Sequence, residues 1–323
     1  MSRRRLIGAA IAACATILLA GCQAGHGGSP GTSHLVVGFA QVGAESSWRT
    51  ANTKDIESAF QHAGITLRFS DAEQQQANQI AAIRSYIQQR VSVIAFSPVV
   101  ESGWDTVLQE AKAAGIPVIL TDRAISTDDP SLYVTRLGSD FTKEGEKAGV
   151  WAKKEFAAAS SVKVLEIEGT TGSAPAIGRT KGFEKEIGDD SKFSIVDSQD
   201  GGFTRAGGEQ VMEAQLKAHP DVDLVYAQND DMALGAIQAI EGAGERPGKQ
   251  IKVISVDATH DGMEALAQGK INFIVECNPL LGDELVKLVK KVTAGKSVPR
   301  RIEPPERTFT QEQAIAALPT RKY

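Results

Sequence analysis

From residue 35 onward, apolar runs of four to seven residues alternate with longer amphipathic stretches. The apolar runs predict strands at 35–40, 66–69, 91–96, 117–120 and 132–137, with helices through about 63, at 73–89 and at 103–114. The same order then starts again. Helices are expected at 141–157, 174–187, 206–218, 231–241, 262–267 and 280–294, and strands at 163–167, 193–197, 224–227, 252–256 and 271–275. Near-continuous apolar strands separated by helices imply parallel sheet covered on both faces. The repeat of the pattern predicts two similar open α/β lobes. A length of 323 residues agrees, because a single core rarely grows past roughly 250–300 residues.

Polar residues collect where the strands end. Gln41 and Glu45 follow the first strand and Asp122-Arg123 the fourth. Asn229-Asp230-Asp231 follows 224–227, Asp257 follows 252–256, and Glu276 follows 271–275. Open α/β sheets bind ligands in the crevice outside the carboxyl ends of their strands. Helix capping explains one such residue, and Asp231 is expected to be a cap, but it does not explain the whole set. The densest stretch is Glu45-Ser46-Ser47-Trp48-Arg49. A carboxylate, hydroxyls, an indole and a guanidinium within five residues suit a ligand with a ring face and many hydroxyls.

Composition adds little and the N-terminus adds much. With 42% hydrophobic and 23% charged residues the chain is an ordinary globular protein, and a net charge of -5 argues against a nucleic-acid partner. Arg3-Arg4-Arg5 precedes the apolar run 6–20, which is too short for a comfortable span of about 20 residues and reads as an export signal over 1–21. Leu19-Ala20-Gly21-Cys22 resembles a bacterial lipobox, so Cys22 is expected to carry lipid and anchor the protein at the outer face of the cell membrane. The stretch 2–6 also loosely resembles a twin-arginine signal, which leaves the export route open. Residues 22–34, rich in glycine and serine, read as a flexible tether. Once Cys14 is removed with the signal and Cys22 is lipidated, only Cys277 remains, so neither an intrachain disulfide nor a cysteine metal cluster is expected.

Several segments carry a family resemblance. Val37-Gly38-Phe39-Ala40-Gln41, Leu120-Thr121-Asp122-Arg123, the run from Ala227 through Asn229, Asp230 and Asp231 to Gly235, and Ser255-Val256-Asp257 resemble the pentose- and hexose-binding proteins of bacterial ABC importers. Gln41-Val42-Gly43, the Glu45–Arg49 stretch and Ser97-Pro98-Val99-Val100 with Gly103-Trp104 resemble the galactofuranose-binding members in particular. The resemblance spans about 35–323. It implies two Rossmann-like lobes, the type-I periplasmic binding fold, joined by three crossings near 137–140, 276–279 and 301–304. Lobe 1 would comprise 35–138 and 277–303, and lobe 2 would comprise 139–276 and 304–323.

Carried over residue by residue, the binding role falls on Glu45, Ser46, Trp48 and Arg49, with Trp48 stacking on the sugar. Asp122 and Arg123 would bind neighbouring hydroxyls, and Arg179, Asn229 and Asp257 would bind from the second lobe. Glu276 stands where ribose-type relatives carry Gln, and would bind ligand or tune the hinge. The implied protein is a monomer without cofactor that takes a monosaccharide and delivers it to an ABC permease, or alternatively presents it to a membrane receptor.

Enzyme readings fare badly. Gly38 to Gly43 lacks the tight glycine fingerprint of a dinucleotide site, and no Walker loop is present. His62, His219 and His260 have no nucleophile elbow to serve. Glu166 and Glu168 are read as pointing to opposite faces of one strand, and so not as a carboxylate pair. A two-lobed repressor would need a helix-turn-helix where the export signal stands.

Overall fold

The computed structural model describes residues 35–323, so the expectations for the signal, the tether and Cys22 lie outside the described residues. No helix among the described residues is long and apolar enough to cross a membrane.

In the first half, β1 (Val36–Gln41), α1 (Ser47–Ala63), β2 (Thr66–Asp71), α2 (Gln76–Gln88), β3 (Val93–Phe96), α3 (Asp105–Ala113), β4 (Val118–Thr121) and β5 (Thr135–Leu137) alternate as the pattern implies. The second half runs α4 (Phe141–Glu155), β6 (Val162–Glu168), α5 (Ala174–Ile187), β7 (Phe193–Asp200), α6 (Arg205–Ala218), β8 (Leu224–Ala227), α7 (Asp230–Gly242), β9 (Lys252–Asp257), α8 (His260–Ala267) and β10 (Phe273–Glu276). It is followed by α9 (Gly282–Thr293), β11 (Arg301–Ile302), β12 (Thr308–Phe309) and α10 (Gln311–Ala317).

Two six-stranded sheets result, ordered β2-β1-β3-β4-β5-β11 and β7-β6-β8-β9-β10-β12. All pairings are parallel except β10 with β12. The chain therefore passes from the first sheet to the second after β5, returns after β10, and passes again between β11 and β12. In each sheet the strand order reverses beside its first strand, which opens a crevice at the carboxyl edge.

Burial follows the two-residue period of a strand. Val93 and Ala95 of β3 join one apolar cluster while Ile94 and Phe96 join another. On β8, Val225 and Ala227 face one cluster and Leu224 and Tyr226 the other. Both sheets are thus buried on both sides, which is why their strands read as unbroken apolar runs.

Departures from the expected elements have local causes. α2 starts at Gln76 rather than near 73, because Glu73 and Gln74 take left-handed φ values of 50° and 59°. The stretch 132–137 holds only the short β5, preceded by a 3-10 turn at Pro130–Leu132. The two-residue strands β11 and β12 are too short to leave a periodic signal. The cap of α7 is Asn229, whose side chain accepts from the Met232 amide at 2.9 Å, and not Asp231.

Candidate ligand-binding cleft

The loops at the carboxyl edges of the two sheets surround a small cleft with about 290 Å³ of non-atom space, part of it open to solvent. Glu45, Ser46, Trp48, Arg49, Asp122 and Arg123 line it from the first lobe, and Arg179, Asn229 and Asp257 line it from the second. Phe141, Pro175, Phe203 and Cys277 complete the wall.

The first-lobe wall is an alternating charge network. Ser46 caps α1 by accepting from the Arg49 amide at 3.1 Å, which fixes the turn that carries Trp48 and Arg49. Arg49 donates from Nη2 to Asp122 Oδ2 at 2.8 Å and from Nε to Glu45 Oε1 at 3.1 Å. Gln41 Oε1 accepts from Arg49 Nη1 at 3.2 Å, so that residue supports the wall from behind. Burial alone would lower the Arg49 guanidinium, but Asp122 and Glu45 outweigh it and hold it above its ordinary value. Arg123 differs. Burial, reinforced by neighbouring Arg49, pushes it down to about 10 against the pull of Glu45 and Asp122. Among the described residues, Arg123 Nε and Glu45 Oε2 are buried without a hydrogen-bond partner.

Two helices meeting backbone to backbone build the second-lobe wall. A Cβ on Gly145 of α4 would lie 2.1 Å from the Arg179 carbonyl, and one on Gly182 of α5 would lie 2.0 Å from the Thr142 carbonyl. That approach brings Glu144 Oε2 within 2.8 Å of Arg179 Nε. A second nitrogen of Arg179 donates to the Gln228 carbonyl, which aims the remaining nitrogen at the cavity side. Burial opposes the charge on Arg179, yet Glu144, Cys277 and Asp257 together keep it above its usual range. Asp257 Oδ1 stands 3.8 Å from Arg179 Nη2, and burial drives its carboxyl well above ordinary values. Asn229 also donates to the Phe203 carbonyl at 3.0 Å, fixing the loop that carries that ring.

The backbone is strained around this space. Asp122, Phe203 and Asp257 are three of the seven non-glycine residues with positive φ among the described residues, at 58°, 62° and 122°. Such conformations cost on the order of 1–3 kcal/mol each and persist where the surroundings enforce them, commonly at binding sites.

Trp48 lines the cavity but carries other duties too. Its indole N–H donates to the Cys277 carbonyl at 2.6 Å, its ring joins an apolar cluster of the second lobe, and the Arg49 guanidinium lies 4.6 Å from its centre. Phe203 was not singled out by the sequence, although it follows β7 at the same edge. Its ring lies 5.2 Å from the Arg123 guanidinium and 6.0 Å from that of Arg179. A search for polar strand ends passes over it, as it does over Phe141 and Cys277.

Two readings need correction. Of the two roles expected for Glu276, the ligand contact is the one to correct, since it does not line the cavity: its carboxylate accepts from Arg321 Nη1 at 2.7 Å, the Tyr323 hydroxyl at 3.0 Å and the Arg307 amide at 3.1 Å, all from the segment after the third crossing. Glu166 and Glu168 do not face apart. Residues two apart on a strand share a face, and Ser198 Oγ bonds Glu168 while lying 3.4 Å from Glu166. Glu166 accepts from Thr180 and Gln228, outside the cavity lining, and burial raises its carboxyl to about 7.

Residues 37–297 match the periplasmic binding protein domain family. The galactofuranose-binding protein YtfQ of Escherichia coli is 42% identical over 271 residues, covering 83% of this chain and 85% of that one. A crystal structure from Mycobacterium smegmatis in complex with β-D-fucofuranose is 60% identical with a TM-score of 0.87, covering 88% of this chain and 94% of that one. The arabinose-transporter binding protein of Shewanella sp. ANA-3, bound to α- and β-L-arabinofuranose, is 44% identical with a TM-score of 0.85, covering 89% and 95%. The Escherichia coli and Shewanella relatives are named as binding proteins. With its paired sheets and its cavity between their carboxyl edges, the chain belongs to the periplasmic binding proteins, among those that capture sugars for ABC importers.

Proposed function

We propose that the cleft takes a furanose of galactose configuration, galactofuranose or a close analogue, and passes it to an ABC permease. The carrying observation is the pair of buried, unpartnered polar atoms in the wall, Glu45 Oε2 and Arg123 Nε. One accepts and the other donates, so sugar hydroxyls can satisfy both. Leaving such atoms unpaired costs about 1–3 kcal/mol each, which a ligand would recover. Asp122 and Asp257 add acceptors from opposite lobes, while Arg49 and Arg179 add donors. Trp48 and Phe203 offer ring faces.

The ring form is supported by the relatives' ligands. D-Fucofuranose, L-arabinofuranose and D-galactofuranose share one configuration at C2, C3 and C4 and differ only in the arm on C4. Recognition concentrated on the ring hydroxyls would therefore accept all three and reject pyranoses.

Titration of purified 35–323 with L-arabinose, D-fucose and D-galactose tests this, with methyl β-D-galactopyranoside as the ring-locked control. Binding of the first three, with apparent affinities reduced by the small furanose fraction in solution, is expected. Tight binding of the locked pyranoside would overturn the furanose reading. Silence from every sugar would move the ligand to another class.

Membrane attachment through Cys22 is part of the same proposal, supported by the small residues before it at the end of the apolar run. Cys22→Ser should release the protein into the soluble extract. Continued fractionation with membranes would remove the lipid anchor.

A further inference from the structure

The first turn of α1, in the first lobe, is capped twice. Ser46 caps it from within, accepting from the Arg49 amide. Asp231, on the first turn of α7 in the second lobe, reaches across and accepts from both the Ser47 amide at 2.8 Å and the Ser47 hydroxyl at 2.6 Å through Oδ2. The amide of a first-turn residue has no partner inside its own helix. Here a carboxylate from the other lobe supplies that partner and sits at the positive end of the α1 dipole. Arg205 Nη2 stands 3.7 Å from the other carboxylate oxygen and steadies it. A second direct bond joins the lobes where the Glu101 amide donates to the Gly172 carbonyl at 2.9 Å. Asp231 does not line the cavity, although Asn229, two residues earlier, does.

We propose that Asp231 is a positioning residue for ligand retention: it caps α1 across the cleft only when the lobes are closed, and so slows sugar release without touching the sugar. Any motion that parts the lobes about their three crossings must break both bonds to Ser47. An interaction made only in the closed form shifts the equilibrium toward closure and raises affinity by that shift. Encounter takes place with the open form, so the effect falls on release rather than capture. The readout with sugar rests on the cleft being a sugar site, whereas the readout of closure does not.

Ser47→Pro is the clean test. Proline removes the amide proton and the hydroxyl together, yet it is favoured at the first position of a helix, and Ser46 at φ −142°, ψ 162° already has the extended backbone that precedes proline. In the full mature chain, stopped-flow release of L-arabinose should quicken about tenfold or more in Ser47→Pro and in Asp231→Asn, the loss of one charge-assisted bond, with association changed less than about twofold. Unchanged release in both variants would overturn the proposal. So would an equal slowing of association together with lost thermal stability of the ligand-free chain, which marks a merely structural residue. If L-arabinose fails to bind the unaltered protein, single-molecule energy transfer between labels on the two lobes decides. Shorter visits to the closed state in Ser47→Pro uphold the latch, and unchanged dwell times refute it.

Discussion

The two walls of the cleft solve the same problem differently. In the first lobe, Glu45, Arg49, Asp122 and Arg123 neutralise one another within the wall, with Arg49 between two carboxylates at 2.8 and 3.1 Å. In the second lobe, Arg179 is held from behind by Glu144, and Asp257 is left 3.8 Å away from it with its carboxyl pushed up by burial. The first wall is preorganised by its paired charges, with Glu45 Oε2 and Arg123 Nε left over for ligand hydroxyls. The second keeps its acceptor under-compensated until a hydroxyl arrives. A cleft that must open and close gains from this division, because the wall carrying the tryptophan turn keeps its shape while the other gains most from closure.

The largest effect should come from removing the back support. Arg179→Ala leaves Glu144 buried without its cation and should cost about 3–5 kcal/mol of stability as well as sugar binding. Arg123→Met removes a guanidinium that burial already disfavours, so it should lose affinity with little loss of stability. Denaturant midpoints for the two variants, read beside calorimetric titrations, check the contrast, and equal destabilisation would erase it.

The next effect concerns acid. A sugar hydroxyl donates best to an ionised Asp257, so affinity should rise about tenfold per pH unit until the pH passes the raised pKa of that carboxyl. Ligand-free stability should run the other way. A carboxyl raised on folding contributes fully below its unfolded pKa, and that contribution is lost as pH climbs through the folded one. Glu306, pushed up to about 8 by burial and by Glu144, works in the same direction. Opposed slopes of affinity and melting temperature are expected, with Asp257→Asn flattening the first; parallel slopes would place the titrating group elsewhere.

Smallest is Glu276→Gln. Its partners are Arg321, Tyr323 and Arg307, so melting should drop while sugar affinity changes by less than about threefold. A larger change in affinity would restore Glu276 to the ligand's surroundings.

Much of this is legible in the sequence. Apolar strands announced doubly covered sheets, and polar strand ends located Asp122, Asn229 and Asp257, because parallel topology gives every strand's carboxyl end the same destination. What escaped had physical reasons. Phe141 and Phe203 are aromatic, and an apolar residue in a loop looks like core until its neighbours are known. Glu276 occupies a strand end like the others, but its partners arrive from more than 30 residues later, in a segment without periodicity. Asp231 reads as the cap of its own helix, a place Asn229 takes, while its carboxylate caps α1 at a residue 184 positions away.

The return of the chain to the first lobe has a cost during synthesis. α9 sends Leu285, Val286, Leu288 and Val289 into the same apolar cluster as Val37, Phe39, Ile56 and Phe60 of the opening strand and helix. Until residue 293 has been made, that face of the first sheet has α1 over it but lacks the part of its cover that α9 supplies, however well the strands beneath have paired. A nascent chain cannot finish its first lobe before nearly all of its second has been translated. A truncation before α9 would therefore leave a sticky, chaperone-dependent sheet rather than half of a working protein.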